Sequence, residues 1–270
     1  MHRLGQHFLV HRSVTKKIAD ALEIASSDTV VEIGGGHGEL TVPLGEACAA
    51  RGARLITIER DGALATALRA LPALRDARVI YGDALYEIPT LIHDPKFLAP
   101  RSPLKIAGNI PYYLTGRLFR VLGSLPQKPL RTVLMIQKEV ALRLTAHPPH
   151  MNRLAAVAQF WAEPRILAFV PRTHFDPPPE VDSAVVVLAK KTLPKELEAI
   201  KEAYEETVRA LFAQPRKTIL NNLAAAPKFR EKGKQALIEA LARAGIDPGL
   251  RPQDETVEDI ARIARLDSIT

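Results

Sequence analysis

Apolar positions along this chain follow two rhythms in turn. Short β-branched runs read as buried strands: Val30-Val31-Glu32-Ile33, Leu55-Ile56-Thr57-Ile58, Arg78-Val79-Ile80-Tyr81 and Leu104-Lys105-Ile106-Ala107-Gly108. Between them, apolar residues recur every three or four positions, as on one face of a helix. Val14, Ile18, Ala21 and Leu22 do so behind Ser13, which is placed to cap that helix. Leu40 to Ala50, Gly62 to Leu71, Thr115 to Gly123 and Lys138 to Ala146 read as further helices, with Pro43 tolerable only in a first turn. Thr132 to Ile136 and Ala184 to Leu188 read as later strands. Strand signals stop at Lys190-Lys191-Thr192-Leu193-Pro194. From Lys195 to Ala244 the chain reads as helices broken near Gln214-Pro215 and Ala226-Pro227, and a last helix follows Thr256 with Val257, Ile260, Ala261 and Ala264 on one face. Alternating strands and helices predict an α/β domain over 1–190, and the helical remainder predicts a second domain over 191–270.

The first long strand ends in Glu32-Ile33 and runs into Gly34-Gly35-Gly36-His37-Gly38. Glycines at such a turn allow positive φ and let backbone approach a ligand closely. By itself the run is ambiguous, because many Gly-rich turns bind nothing. Its G-x-G-x-G spacing departs from the G-x-G-x-x-G of nicotinamide and flavin folds. With an acid two residues ahead, it resembles the first motif of class I S-adenosylmethionine-dependent methyltransferases. Glu59 ends the second strand about twenty residues on, where a carboxylate can accept both ribose hydroxyls, and the alternative there is a solvated Glu59-Arg60-Asp61 turn. Asp83 follows the third strand and can accept from an exocyclic amine such as that of adenine. Glu32, Glu59 and Asp83 thus close three successive strands.

The most specific motif is Asn109-Ile110-Pro111-Tyr112, after the fourth strand. Pro111 keeps Ile110 extended, so its carbonyl points outward. That carbonyl and the Asn109 side-chain oxygen can accept both hydrogens of an exocyclic amine, favouring a geometry in which the nitrogen lone pair is available to react. Tyr112 supplies a stacking face worth ~1–3 kcal/mol per base. Downstream, Phe175-Asp176-Pro177-Pro178-Pro179-Glu180-Val181-Asp182-Ser183 reads as a stiff extended loop presenting Phe175 to clamp an extruded base. A core-packed Phe is the plainer alternative.

Composition narrows the partners. The chain has 270 residues and a formal charge of +7, which favours an anionic partner, nucleic acid first. Seven basic residues (Arg209, Arg216, Lys217, Lys228, Arg230, Lys232 and Lys234) stand against Glu231 alone between 209 and 234, an imbalance better suited to phosphate than to solubility. Cys48 is alone and reads as a small core residue. His147-Pro148-Pro149-His150 lacks the acid or thiol that would complete a metal site, so no metal is expected. Neither a signal peptide nor a membrane-length apolar run is read, which makes the cytoplasm the default.

Together these residues resemble the ribosomal RNA adenine N6,N6-dimethyltransferases, the kasugamycin-resistance group acting on the small subunit. The resemblance extends from Gly5-Gln6-His7-Phe8-Leu9 to Leu211-Phe212-Ala213-Gln214-Pro215-Arg216-Lys217-Thr218, and the two motifs around Asn109 and Phe175 carry most of it. It implies an α/β, Rossmann-like class I methyltransferase sheet with helices on both faces, plus a small all-α C-terminal domain. It also implies S-adenosylmethionine as cofactor and dimethylation of two adjacent adenosines near the 3′ end of small-subunit rRNA. The substrate would be rRNA in an immature subunit, and the enzyme a monomer. Carried over by position, Gln6, His7 and Leu9 would lie near the methionine part of the cofactor, with Glu32, Gly34 and Gly36 at the turn beneath it. Glu59 with Arg60 would hold the ribose, Asp83 with Ala84 the adenine, and Asn109 would border both cofactor and target. Asn109, Ile110 and Pro111 would receive the target amine, with Tyr112 and Phe175 stacking the base, while Arg216, Lys217, Lys228 and Arg230 would meet RNA phosphates. His7 in place of Asn, Gly35 in place of Pro, His37 in place of Leu, and Tyr113-Leu114-Thr115 in place of Asn-Ile-Ser depart from the family pattern. Large-subunit rRNA methyltransferases of the macrolide-resistance type share the Asn109 motif but usually lack the triple proline. A non-catalytic nucleic-acid-binding factor on the same scaffold is the other alternative, opposed by Glu59, Asp83 and Asn109.

Overall fold

A computed structural model describes residues 7–95, 97–98, 102–230 and 233–267. In chain order its strands are β1 (Phe8–Leu9), β2 (Thr29–Ile33), β3 (Arg54–Glu59), β4 (Arg78–Tyr81), β5 (Leu104–Asn109), β6 (Arg131–Gln137), β7 (Ala162–Val170), β8 (Phe175–Asp176) and β9 (Ser183–Lys190). Seven of them form one sheet in the order β4-β3-β2-β5-β6-β9-β7, while β1 and β8 pair as a separate ribbon. The pairs from β4 through β6 are parallel, and β9 joins β6 antiparallel. β2 is buried along its whole length, as a central parallel strand must be, so its sequence does not alternate and even Thr29 and Glu32 are buried. Ile33 at its carboxyl end is in register with Ile58 on one side and Gly108 on the other. Chain order reverses across β2, so a crevice opens beyond the ends of β2, β3 and β5.

In chain order the helices are α1 (Arg12–Ala21), α2 (Thr41–Arg51), α3 (Gly62–Arg69), α4 (Ala84–His93), α5 (Thr115–Ser124), α6 (Lys138–Leu144), α7 (Arg153–Trp161), α8 (Lys195–Glu198), α9 (Lys201–Leu211), α10 (Ile219–Ala225), α11 (Pro227–Arg230), α12 (Lys234–Arg243) and α13 (Val257–Ala264). α1 buries Val14 and Ile18 as its pattern predicts, but Ser13 is not its cap. His11 precedes the helix, and the Ser13 hydroxyl bonds the His11 ring instead. Cys48 is buried in α2, where loss of hydration pushes its thiol up to about 12. At the foot of the sheet, Lys105 Nζ meets Asp28 Oδ2 at 2.7 Å, and both side chains are buried. Asp28 also accepts the Ala25 N–H and Lys105 donates to the Glu23 carbonyl, so the pair pins the turn ahead of β2 to β5. The open edge of β4 is covered where the Arg69 guanidinium donates to the Val79 carbonyl.

Two compact units divide the chain: one takes 1–142 and 163–190, the other 143–162 and 191–270. Within the second, Phe160 stacks on Tyr204, whose hydroxyl donates to the Ala156 carbonyl at 2.9 Å, over a core of Leu211, Leu223 and Phe229. Thr256 caps α13 reciprocally with Asp259. Asn222, buried in α10, donates its amide to the carbonyls of Gln214, Lys217 and Thr218 and accepts the Gln214 N–H. The turn carrying exposed Arg216 and Lys217 is thereby held on one side chain.

Candidate functional site

Three glycines after β2 adopt positive φ: Gly34 (77°), Gly36 (55°) and Gly38 (100°). Each then aims an N–H inward, Gly34 to the Ile58 carbonyl, Gly36 to Glu59 Oε2 and Gly38 to the Gly35 carbonyl. Gly35 has no such φ. A Cβ there would fall 2.6 Å from both Leu68 Cδ1 and Thr57 Cγ2, so its departure from proline is matched by side chains closing on the backbone. Glu59, 3% exposed, holds Gly36 with one oxygen and the Asp61 N–H with the other, which closes the turn against the end of β3. Each oxygen retains a lone pair. Asp83 Oδ1 caps α4 through the Leu85 N–H, and Oδ2 lies 3.9 Å from the exposed Arg60 guanidinium, a contact worth little in water.

Glu32 is placed differently from the expectation. It is fully buried and does not line the cleft; Thr57 Oγ1 donates to its Oε2 at 2.9 Å, and Oε1 has no partner among the described residues. Burial pushes its carboxyl up to about 7, the Thr41 and Thr57 hydroxyls oppose that rise, and the charges of Glu59 and Glu39 add to it. Its contact is with the frame beneath the turn, because the pleat sends alternate residues of β2 to opposite faces.

Across the crevice, the Ile110 N–H bonds the Met135 carbonyl, and Pro111 keeps the chain extended into a short turn over Tyr112–Leu114. Asn109 Nδ2 donates to the His7 carbonyl at 2.9 Å, which commits the nitrogen and leaves Oδ1 as the acceptor. His7 Nδ1 lies 2.8 Å from the Pro177 carbonyl; a carbonyl only accepts, so this ring nitrogen carries the proton. A side-chain donor therefore survives the change from Asn at this position. The Tyr112 hydroxyl meets Ser183 Oγ at 3.2 Å, and burial holds its pKa above the ordinary phenol value.

Phe175 departs from the picture of an open loop. Phe8 pairs with Asp176 and Leu9 with Phe175, so the proline-rich stretch begins as β8 of the ribbon, and the Phe175 ring is 4% exposed in the core beside Leu9 and Val170. It reaches the cleft wall but offers no free face. Phe8 itself packs on His37, with ring centroids 4.3 Å apart.

One cleft gathers His7, Leu9, Gly34, Gly36, Glu59, Arg60, Asp83, Ala84, Asn109, Ile110, Pro111, Tyr112 and Phe175, all singled out from sequence. Gln6 lies outside the described residues. Phe8, Glu39, Leu40, Tyr113 and Leu114 also line the cleft without having been singled out; adjacency to the motifs was their only signal. In the second unit Arg216, Lys217 and Arg230 are exposed, while Lys228 Nζ meets Glu206 at 3.1 Å. Glu206 precedes the basic stretch, so a linear count overstates the local excess of positive charge. Among the described residues no group of three metal-ligating side chains occurs, and no helix is long and apolar enough to cross a membrane.

Residues 1–266 match the sequence profile of the family described as ribosomal RNA adenine dimethylase. Two similar relatives, from Pelotomaculum thermopropionicum and Moorella thermoacetica, are each named ribosomal RNA small subunit methyltransferase A. The first is 39% identical over 97% of this chain and 89% of its own length, the second 40% over 97% and 90%. Among solved structures, a dimethyladenosine transferase from Plasmodium falciparum superimposes with a TM-score of 0.75 at 26% identity, over 95% of this chain and 96% of that one. The 23S rRNA methyltransferase ErmE gives 0.72 at 27% identity, over 96% and 99%.

Proposed function

Because this chain belongs to the ribosomal RNA adenine dimethylase family, we propose that it dimethylates N6 of two adjacent adenosines near the 3′ end of small-subunit rRNA, with S-adenosylmethionine as methyl donor. The observation that carries the reading is Asn109, a cleft residue whose amide nitrogen donates to the His7 carbonyl and so leaves Oδ1 as its acceptor. The Gly-rich turn suits the cofactor: a Cβ at Gly36 would meet the Phe8 ring at 3.3 Å, so only glycine leaves that cradle open. Glu59 and Asp83, at the ends of adjacent strands, supply the acceptors for ribose hydroxyls and an adenine amine. His7, Leu9, Gly34, Arg60 and Ala84 complete the set, and Glu32 supports the turn from below. Bound there, S-adenosylmethionine supplies an electrophilic methyl group.

The remaining work falls to this chain's own side chains. Asn109 Oδ1 and the Ile110 backbone carbonyl accept both amine hydrogens before the first transfer and the remaining one before the second, which frees the nitrogen lone pair. Each methylation releases one amine proton to bulk solvent. Tyr112, pinned through its hydroxyl to Ser183, presents its ring to the adenine. Phe175 braces the wall, and stacks on the base only if the ribbon shifts. No covalent nucleophile is required; catalysis is positioning and exclusion of water. Arg216, Lys217, Lys228 and Arg230, in the unit formed by 143–162 and 191–270, meet RNA phosphates. The enzyme acts as a cytoplasmic monomer on rRNA in an immature small subunit. Incubating undermethylated small subunits with labelled S-adenosylmethionine and mapping the product tests this directly. Label on two adjacent adenosines is the expected result, and label absent from small-subunit rRNA would overturn the reading.

A further inference from the structure

Outside the cleft, Phe169 on the edge strand β7 is an exposed aromatic residue with a cation beside it. Its ring is 54% exposed, and Lys138 Nζ stands 5.2 Å from the ring centroid. Lys138 opens α6 directly after β6, where its N–H bonds the Asp182 carbonyl at 3.0 Å. The next residue, Ser183, holds the Tyr112 hydroxyl, and the Val181 carbonyl lies within 3.5 Å of the same hydroxyl. Contacts through buried Ser183 and the Asp182 backbone thus link Tyr112 to Lys138 and Phe169, at the same end of the sheet as Asn109. Asp182 accepts the Arg172 N–H at 3.1 Å, and two further exposed carboxylates, Glu139 and Glu180, lie close to Lys138 and Asp182 along the chain. Val181, 42% exposed, adds apolar surface beside Asp182.

We propose that Phe169 and Lys138 form a second nucleobase site, which stacks the nucleotide adjacent to the adenosine held at Asn109 and Tyr112. This rests on the proposed function. Extruding one base unstacks its neighbour, and an exposed ring beside the cleft restores that stacking. A mobile ammonium over the same ring suits a nucleotide in particular, since it can swing to the phosphate as the base takes its place on the ring. A protein partner would need a broader apolar patch than one ring and one valine.

The test uses two RNA oligonucleotides, each with a target adenosine, one carrying a base and the other an abasic site at the adjacent position. Both are titrated against the full-length wild type and Phe169→Ala. The truncation should weaken binding of the first RNA about tenfold and of the second less than twofold. Binding of S-adenosylmethionine should be unchanged, and Lys138→Gln should flatten the salt dependence. Equal weakening for both RNAs, or none, would overturn the second site, provided that wild type methylates undermethylated small subunits. Failure of wild type to methylate them would instead sink the functional reading beneath it. Unchanged RNA affinity with slower methylation of whole subunits would assign Phe169 to a protein contact, which also overturns the proposal.

Discussion

Replacing Glu32 by Gln isolates the cost of a buried acid under the cofactor turn. Burial raises the Glu32 carboxyl from 4.5 to about 7. Native protein then keeps a proton that the unfolded chain releases, so stability falls as pH climbs from about 4.5 to about 7. The rise corresponds to about 3 kcal/mol, at roughly 1.4 kcal/mol per pH unit. This contribution is fully present below pH 4.5 and gone once pH passes about 7. Glutamine mimics the protonated acid and can still accept from Thr57 Oγ1, yet it does not titrate. The stability of Glu32→Gln relative to wild type should therefore rise by about 3 kcal/mol between pH 4.5 and pH 8, with other titrating groups cancelling in the difference. The single tryptophan, Trp161, belongs to the second unit and would miss this. Urea titrations should instead be followed by hydrogen exchange of the Thr29–Ile33 and Arg54–Glu59 amides. A difference constant to within about 1 kcal/mol across that range would show that Glu32 is ionised in the native state and refute the reasoning.

Asn109→Ala should lower methyl transfer at least a hundredfold or so while reducing cofactor affinity and thermal stability far less, through the lost bond to the His7 carbonyl; near-normal turnover would remove its assigned role. Lys105→Met leaves the Asp28 carboxylate buried without its cation and should cost about 3–5 kcal/mol in chemical unfolding, most of it regained in the double variant with Asp28→Asn. Reversing both charges at Arg216 and Lys217 should weaken RNA binding and lower the salt slope by roughly 0.7 for each phosphate that is no longer neutralised; an identical slope would exclude that turn from the interface. Asn222→Ala, by releasing the same turn without changing charge, should weaken RNA binding at an unchanged net charge, and equal affinity would mean the turn needs no fixed shape.

How much of this was readable beforehand depends on distance along the chain. The ends of β2 through β5 were legible because each carries a local signature: a β-branched run, then an acid or a Gly-rich or Asn-Ile-Pro turn. α4 gives no clear helical signal in the sequence because Pro89 sits inside it, and a proline normally ends a helix. The segment from Arg153 to Val170 was silent for a related reason. α7 passes directly into β7 at Ala162 with no turn residue between, and Pro164 stands within a strand that tolerates it at the sheet edge. Phe175 was assigned an open loop because three prolines follow it, whereas its pairing partner, Leu9, lies far away in sequence. Glu32 and Glu59 look alike in sequence, yet pleat direction puts one beneath the turn and the other at the cleft. Lys228 likewise finds Glu206 only after α9 and α11 pack together.

The β1–β8 ribbon has a temporal consequence. Phe8 and Leu9 are synthesised well before Phe175 and Asp176, which follow only after most of the sheet. The His7 ring contact to Pro177 waits for that late arrival, and with it the anchoring of the residue whose carbonyl accepts from Asn109. The glycine turn is therefore synthesised long before the ribbon can pair and hold the His7 carbonyl against Asn109.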